Sequence, residues 1–243
     1  MSRRFSLIFG RKRSDTAALQ RLATIRDGTS PPGARIFEAG STPALRFASD
    51  DGVRYPPALL ADVPGTAQKL AWLKAAAARD LDVFAKHPRR LLDLYFEWIA
   101  ARLDEDAAAL EQLSRPLGGL FRVEDWIFAA LRPLLNAAVF DADAPEPASP
   151  VLLHDIAFWT GDAVLTIRLR GSSTPLPHDA EACDRLLALG VQIVTVPVQD
   201  LAAGIGIFSE PRFPREFVCF WQGAGYPCSP FRPQGLPRSL ALG

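Results

Sequence analysis

Alternation of apolar and polar residues is clearest in the second half of the chain. In AVLTIRLR, Ala163, Leu165, Ile167 and Leu169 fall on one face of an extended strand and Val164, Thr166, Arg168 and Arg170 on the other, because successive side chains of a strand point to opposite sides. Both arginines therefore share a face. The preceding run VLLHDIAFW, which carries Asp155, predicts another strand, and Thr160-Gly161-Asp162 predicts the reversal that makes the two an antiparallel pair. Such a pair can bring Asp155 to Arg168 or Arg170. A helix is predicted from about Asp179 to Leu189, closed by Gly190, whose tolerance of positive φ suits a C-terminal cap. VQIVTVPV carries a continuous rather than alternating β-branched run, which predicts a buried strand, and a right-handed crossover from AVLTIRLR makes it parallel to that strand.

Helical spacing dominates earlier. Leu70, Leu73, Ala77, Leu81 and Phe84 recur every three or four residues from Thr66 onward, and Pro88 then breaks or restarts the helix. A second helix is predicted from Pro88 to about Leu113, with Leu91, Leu94, Tyr95, Trp98, Leu103 and Leu110 on one side and Asp104, Glu105 and Asp106 on another. A third, VEDWIFAALRPLLNAAVF, is expected after Gly118-Gly119, with a kink at Pro133. Between Ser30 and Gly65 the chain is rich in Pro and Gly, with short β-like pieces ARIFEAG and ALRFASDDG and a hairpin turn at Asp51-Gly52. DADAPEPASP, at 141–150, lacks periodicity and reads as a connector. The expected division is a basic arm over 1–35, a mostly helical module with a short hairpin over 36–115, an α/β domain over 116–208 and an aromatic, Pro-rich C-terminal wrap over 209–243. The expected fold class is α+β or α/β: a helical N-terminal module followed by a small mixed β-sheet flanked by helices.

Composition narrows this picture in a few places. With 243 residues, 49% of them hydrophobic, the chain can bury one large core or two small ones. Its formal net charge is zero, yet residues 1–35 hold eight Arg or Lys against Asp15 and Asp27. Arg11, Lys12 and Arg13 in that arm are candidate phosphate contacts, with a solvated terminus as the plain alternative. Arg outnumbers Lys by 23 to 4, a bacterial-like bias that genome base composition also produces. Cys183, Cys219 and Cys228 have neither zinc-ligand nor disulfide-framework spacing. The apolar run near the N-terminus is too short for a signal-peptide core and no stretch approaches a membrane span, so a cytoplasmic protein without a membrane partner is expected. Phe217, Phe220, Trp221, Tyr226 and Phe231 are too many rings for a free tail and should pack on the body of the protein or on a protein partner. Gly204 and Gly206 lack the strand-to-helix context of a phosphate cradle, and His87, His154 and His178 suggest no catalytic triad.

The order of these pieces resembles the restriction-endonuclease-like, or PD-(D/E)XK, superfamily, and within it the group similar to very-short-patch-repair endonucleases. The resemblance covers residues 120–202 and rests on VEDWIFAALRPL with Glu124, LLHDIAFW with Asp155, LTIRLRG with Arg168 and Arg170, and AEACDRLLALGVQIVTVPVQDL with Asp184 and Arg185. It implies a metal-dependent nuclease in which carboxylates hold a divalent ion that activates water and stabilises charge on phosphate. This chain departs from that pattern at two positions. Arg168 stands where the pattern has a carboxylate, and a cation there repels Mg²⁺. Arg170 stands at the lysine position, but a guanidinium does not titrate usefully.

The reading favoured by these departures is a non-catalytic, nuclease-like protein with a vestigial site of Glu124, Asp155, Arg168 and Arg170, no cofactor, and an arginine pairing Asp155 in place of a metal. Arg11, Lys12, Arg13, Arg168, Arg170 and Arg185 are its candidate nucleic-acid contacts, within a larger assembly that also includes protein. One alternative is an active Mg²⁺-dependent DNA endonuclease whose missing carboxylate comes from Asp162 or Asp179. Another is a protein-binding adaptor with no nucleic-acid role. Asp155 as a satisfied structural carboxylate and Arg168 and Arg170 as a solvated strand face stand beside all three.

Overall fold

The computed structural model describes residues 5–9, 35–39, 46–47, 63, 65–81, 85–115, 124, 126–127, 130–141, 152–159, 164–171, 177–209, 212–213 and 217. Helices pack on a mixed seven-stranded sheet. The strands are β1 (Phe5–Phe9), β2 (Arg35–Ala39), β3 (Arg46–Phe47), β4 (Leu134–Asp141), β5 (Leu152–Trp159), β6 (Val164–Arg170) and β7 (Val191–Pro197), in spatial order β3-β2-β1-β4-β5-β6-β7. Every neighbouring pair is antiparallel except β6 and β7, which run parallel from Val164↔Val191 to Arg170↔Pro197. The helices are α1 (Thr66–Ala78), α2 (Lys86–Glu105), α3 (Ala107–Ser114) and α4 (Pro177–Ala188), and a 3-10 helix follows β7 over Val198–Ile207.

Each sheet face closes a separate core. Leu135, Ile156, Phe158, Leu165, Ile167, Val194 and Val196 face α1, α2 and the 3-10 helix, in the same cluster as Leu73, Leu91, Tyr95, Trp98 and Leu110. Leu7, Phe9, Leu134, Ala137, Val139, Ala157, Val164 and Val191 form the other cluster with Leu186 and Leu189, the latter two from the end of α4 and the turn after it. The predicted alternation along β6 holds: Leu165 and Ile167 enter the first cluster, with Leu169 packed at its margin, and Val164 enters the second. Gly190 has φ +81, and its N–H donates to Leu187 O at 2.9 Å, so α4 ends on the expected left-handed glycine.

Several elements differ from expectation, for identifiable reasons. The predicted single helix from Pro88 to about Leu113 is two, α2 and α3, separated at Asp106 (φ −99, ψ 11). Arg102 holds that corner by binding Glu105 at 2.7 Å and Asp106 at 3.1 Å. Pro88 lies in the first turn of α2, where its missing N–H is not needed by the helix.

The predicted third helix is absent as such. Glu124, Trp126 and Ile127 lie in short 3-10 turns, and LLNAAVFD is strand β4, hydrogen-bonded to β1 on one side and β5 on the other. Leu and Ala favour helix locally, but two flanking strands give this apolar run a full set of backbone partners, and that outweighs propensity. Phe5–Phe9 is likewise a strand paired on both sides, so this part of the expected basic arm is built into the sheet. β2 and β3 fall within the two β-like pieces and pair antiparallel, while Asp51-Gly52, Thr160-Gly161-Asp162 and the connector after Asp141 lie outside the described residues.

Candidate functional site

The polar positions of interest lie in one row across an otherwise apolar sheet. β4 and β5 pair through Leu135↔Ile156 and Ala137↔His154, a register that places Asn136 opposite Asp155. β5 and β6 pair from Trp159↔Val164 to Ile156↔Ile167, and one further step places Asp155 opposite Arg168; Arg168 in turn pairs with Thr195 of β7. Asn136 has φ +51, and its Nδ2 donates to Asp80 O at 2.6 Å in the turn after α1.

Asp155 occupies the end of a ladder. Beyond Ile156↔Ile167 the β5 backbone no longer pairs with β6, while β6 continues against β7 to Arg170↔Pro197. Leu169 N–H donates instead to Asp155 Oδ2 at 2.9 Å. The aspartate is 6% exposed, and the bond supplies its carboxylate with a donor while satisfying a backbone group that would otherwise lose its sheet partner. Arg168 and Arg170 are half-buried on the expected common face. The arrangement is a carboxylate bound to a peptide N–H and flanked along β6 by two guanidinium side chains. That chemistry suits holding two strands together; a divalent ion requires several oxygen ligands facing one point.

Glu124 belongs to a different constellation. Its Oε1 lies 3.0 Å from Lys69 Nζ on α1, and Lys69 is only 3% exposed. The segment is fixed nearby by Trp126, whose Nε1 donates to Ser114 Oγ at 2.8 Å, and by the Ser114 hydroxyl, which donates to Leu110 O at 2.8 Å. Glu124 is thus the counter-ion of a buried lysine. Sequence reasoning passed over Lys69, which stands beside Leu70 in the apolar stripe of α1; a charge in that position was the available signal.

The remaining candidates are dispersed. Arg185 and Asp184 are exposed on α4, and Asp179 lies in its first turn. Arg11, Lys12, Arg13 and Asp162 lie outside the described residues, as do Cys219, Cys228, Phe220, Trp221, Tyr226 and Phe231. Cys183 is a half-buried free thiol. Among the described residues no three His, Cys, Asp or Glu side chains gather in a way that could hold a metal ion, and no helix is long and apolar enough to cross a membrane.

The C-terminal region does meet the body of the protein at Phe217. Its ring stacks on Trp98 at 5.4 Å with 9° between planes, lies 4.8 Å from Phe213 and meets Phe158 edge-on at 5.1 Å. Phe217 is 1% exposed, so this ring is core. No protein-family model matches the chain, and no curated protein or solved structure matches it.

Proposed function

We propose that this chain is a non-catalytic protein with a nuclease-like arrangement of elements, making nucleic-acid or protein contacts within a larger assembly. The observation that carries the reading is the bond from Leu169 N–H to the buried Asp155 carboxylate, which gives the candidate catalytic acid a structural task. The order of elements supports it. A strand with Asp155, an antiparallel strand with Arg168 and Arg170, a helix and a parallel strand follow one another as in the family the sequence resembles. Glu124 supports it from another direction, being paired with Lys69. Arginines stand at the two remaining positions, where the family pattern has a carboxylate and a lysine, so the row holds no second acid.

The test is a cleavage assay with Mg²⁺ or Mn²⁺ on supercoiled plasmid and on labelled single strands. The expected result is no metal-stimulated product from the wild-type protein. Nicking that requires the metal and disappears in Asp155→Ala would return the chain to the active nucleases.

A further inference from the structure

A basic surface lies beside α1 and α2. α1 presents Ala71, Ala75 and Ala78 on one face, at spacings of four and three, so no long side chain fills the space beside α2. The result is an open groove of about 610 Å³ with Leu92 and the alanines as its floor. Its rim carries Lys74, Arg79 and Arg89 against a single acid, Asp93, which binds Lys74 at 2.7 Å. Lys86 and Arg90 lie on the same first two turns of α2 as Arg89, and the first turn contains no acidic residue. Arg79, Lys86, Arg89 and Arg90 are all exposed. Asp80, in the adjoining turn, is half-buried, and the Arg90–Glu97 pair at 3.3 Å is about half exposed at both ends, a kind of contact that a stronger anion displaces.

We infer that this α1–α2 groove docks the sugar–phosphate backbone of a nucleic acid, without reading its bases. Three features select that occupant. The rim has a cation surplus in a chain of zero net charge. The alanine methyls leave room for a backbone to come close to α1. The floor is shallow, because Leu92 is 1% exposed and offers no cavity for the apolar anchors by which an acidic peptide helix would be held.

The test is fluorescence anisotropy of the full chain with a labelled duplex of mixed sequence over a salt series. Each neutralised phosphate contributes a slope of about −0.9 in log K against log salt, so Arg79→Ala/Arg89→Ala should flatten the slope by about 1.8 and weaken low-salt binding at least tenfold. Lys86→Ala/Arg89→Ala, confined to exposed positions of α2, should give a similar loss. Scrambling the duplex sequence should change nothing. Wild-type slope and affinity in both double variants would overturn the inference, as would absence of salt-dependent binding by the wild-type protein. Displacement of the duplex from the groove by an acidic peptide at much lower concentration than by unlabelled duplex would overturn it in favour of a protein partner. None of these outcomes touches the proposal of a non-catalytic site, which the metal-dependent cleavage assay decides separately.

Discussion

Removing Glu124 and removing Lys69 should have very different consequences, although each deletes the same ion pair. At 3.0 Å and an effective dielectric constant near 20, Coulomb's law gives an attraction of about 5 kcal/mol. Desolvating Lys69, at 3% exposure, costs several kcal/mol and offsets most of it. The pair therefore adds little net stability over two apolar groups, but a buried ammonium that loses this carboxylate is a different matter. Glu124→Ala removes the carboxylate paired with a buried ammonium beside the core residues Leu70 and Leu73, and breaking a buried pair in this way costs about 3–5 kcal/mol. Because the Glu124 carboxylate is 23% exposed and water can reach the vacated place, about 2–4 kcal/mol is the appropriate range here. Lys69→Met leaves Glu124 near solvent and fills similar volume, so its cost should stay within about 1 kcal/mol, with Lys69→Met/Glu124→Ala close to Lys69→Met alone. Urea unfolding of the four proteins reads this directly as midpoint shifts at constant slope. Equal costs for the two single variants would refute the buried-counter-ion account, and a stabilising Glu124→Ala would point to an acid kept for chemistry at the expense of stability.

Two further outcomes test the packing. Phe217→Ala should destabilise by about 3–5 kcal/mol, the usual cost of deleting a buried ring, with the loss seen in urea unfolding; a negligible effect would mean the C-terminal region does not contribute to the core. Gly190→Ala should cost about 1 kcal/mol through its φ of +81 alone, since open space surrounds the position, and Gly190→Asn should cost less in the same measurement.

The part of the fold most legible in the sequence was β6–α4–β7, for concrete reasons. Strict alternation in LTIRLR assigned the β6 faces and Gly190 marked the end of α4, while the β-branched run identified β7 as a strand but not as the sheet's edge, where Gln192 and Thr195 are exposed instead of buried. The strand β4 was not legible, because LLNAAVF has the composition of a helix and becomes a strand only through partners far away in sequence. β1 was not legible because FSLIF is a short, mostly apolar run between arginine clusters without the apolar–polar alternation that marks a strand. At the site, alternation put Arg168 and Arg170 on one face, and hairpin order put Asp155 beside β6. Neither could reveal that a ladder ends between Ile156 and Asp155 and leaves Leu169 N–H to be satisfied, because that depends on where backbone pairing stops. Glu124 was placed on a helix because its segment shares the helical look of β4, and its pairing with Lys69 depends on a contact spanning 55 positions in the chain.

The most direct test of the central claim is the urea stability of the wild-type protein and Asp155→Ala, each with and without saturating Mg²⁺. If the Asp155 carboxylate serves Leu169 N–H, the variant loses about 1.5–3 kcal/mol, as expected for a hydrogen bond to a charged group, and Mg²⁺ leaves both proteins unchanged. If Asp155 is a metal ligand, Mg²⁺ stabilises the wild-type protein, by about 2.7 kcal/mol at a hundredfold excess over Kd, and the gain vanishes in Asp155→Ala. That second result would contradict the account.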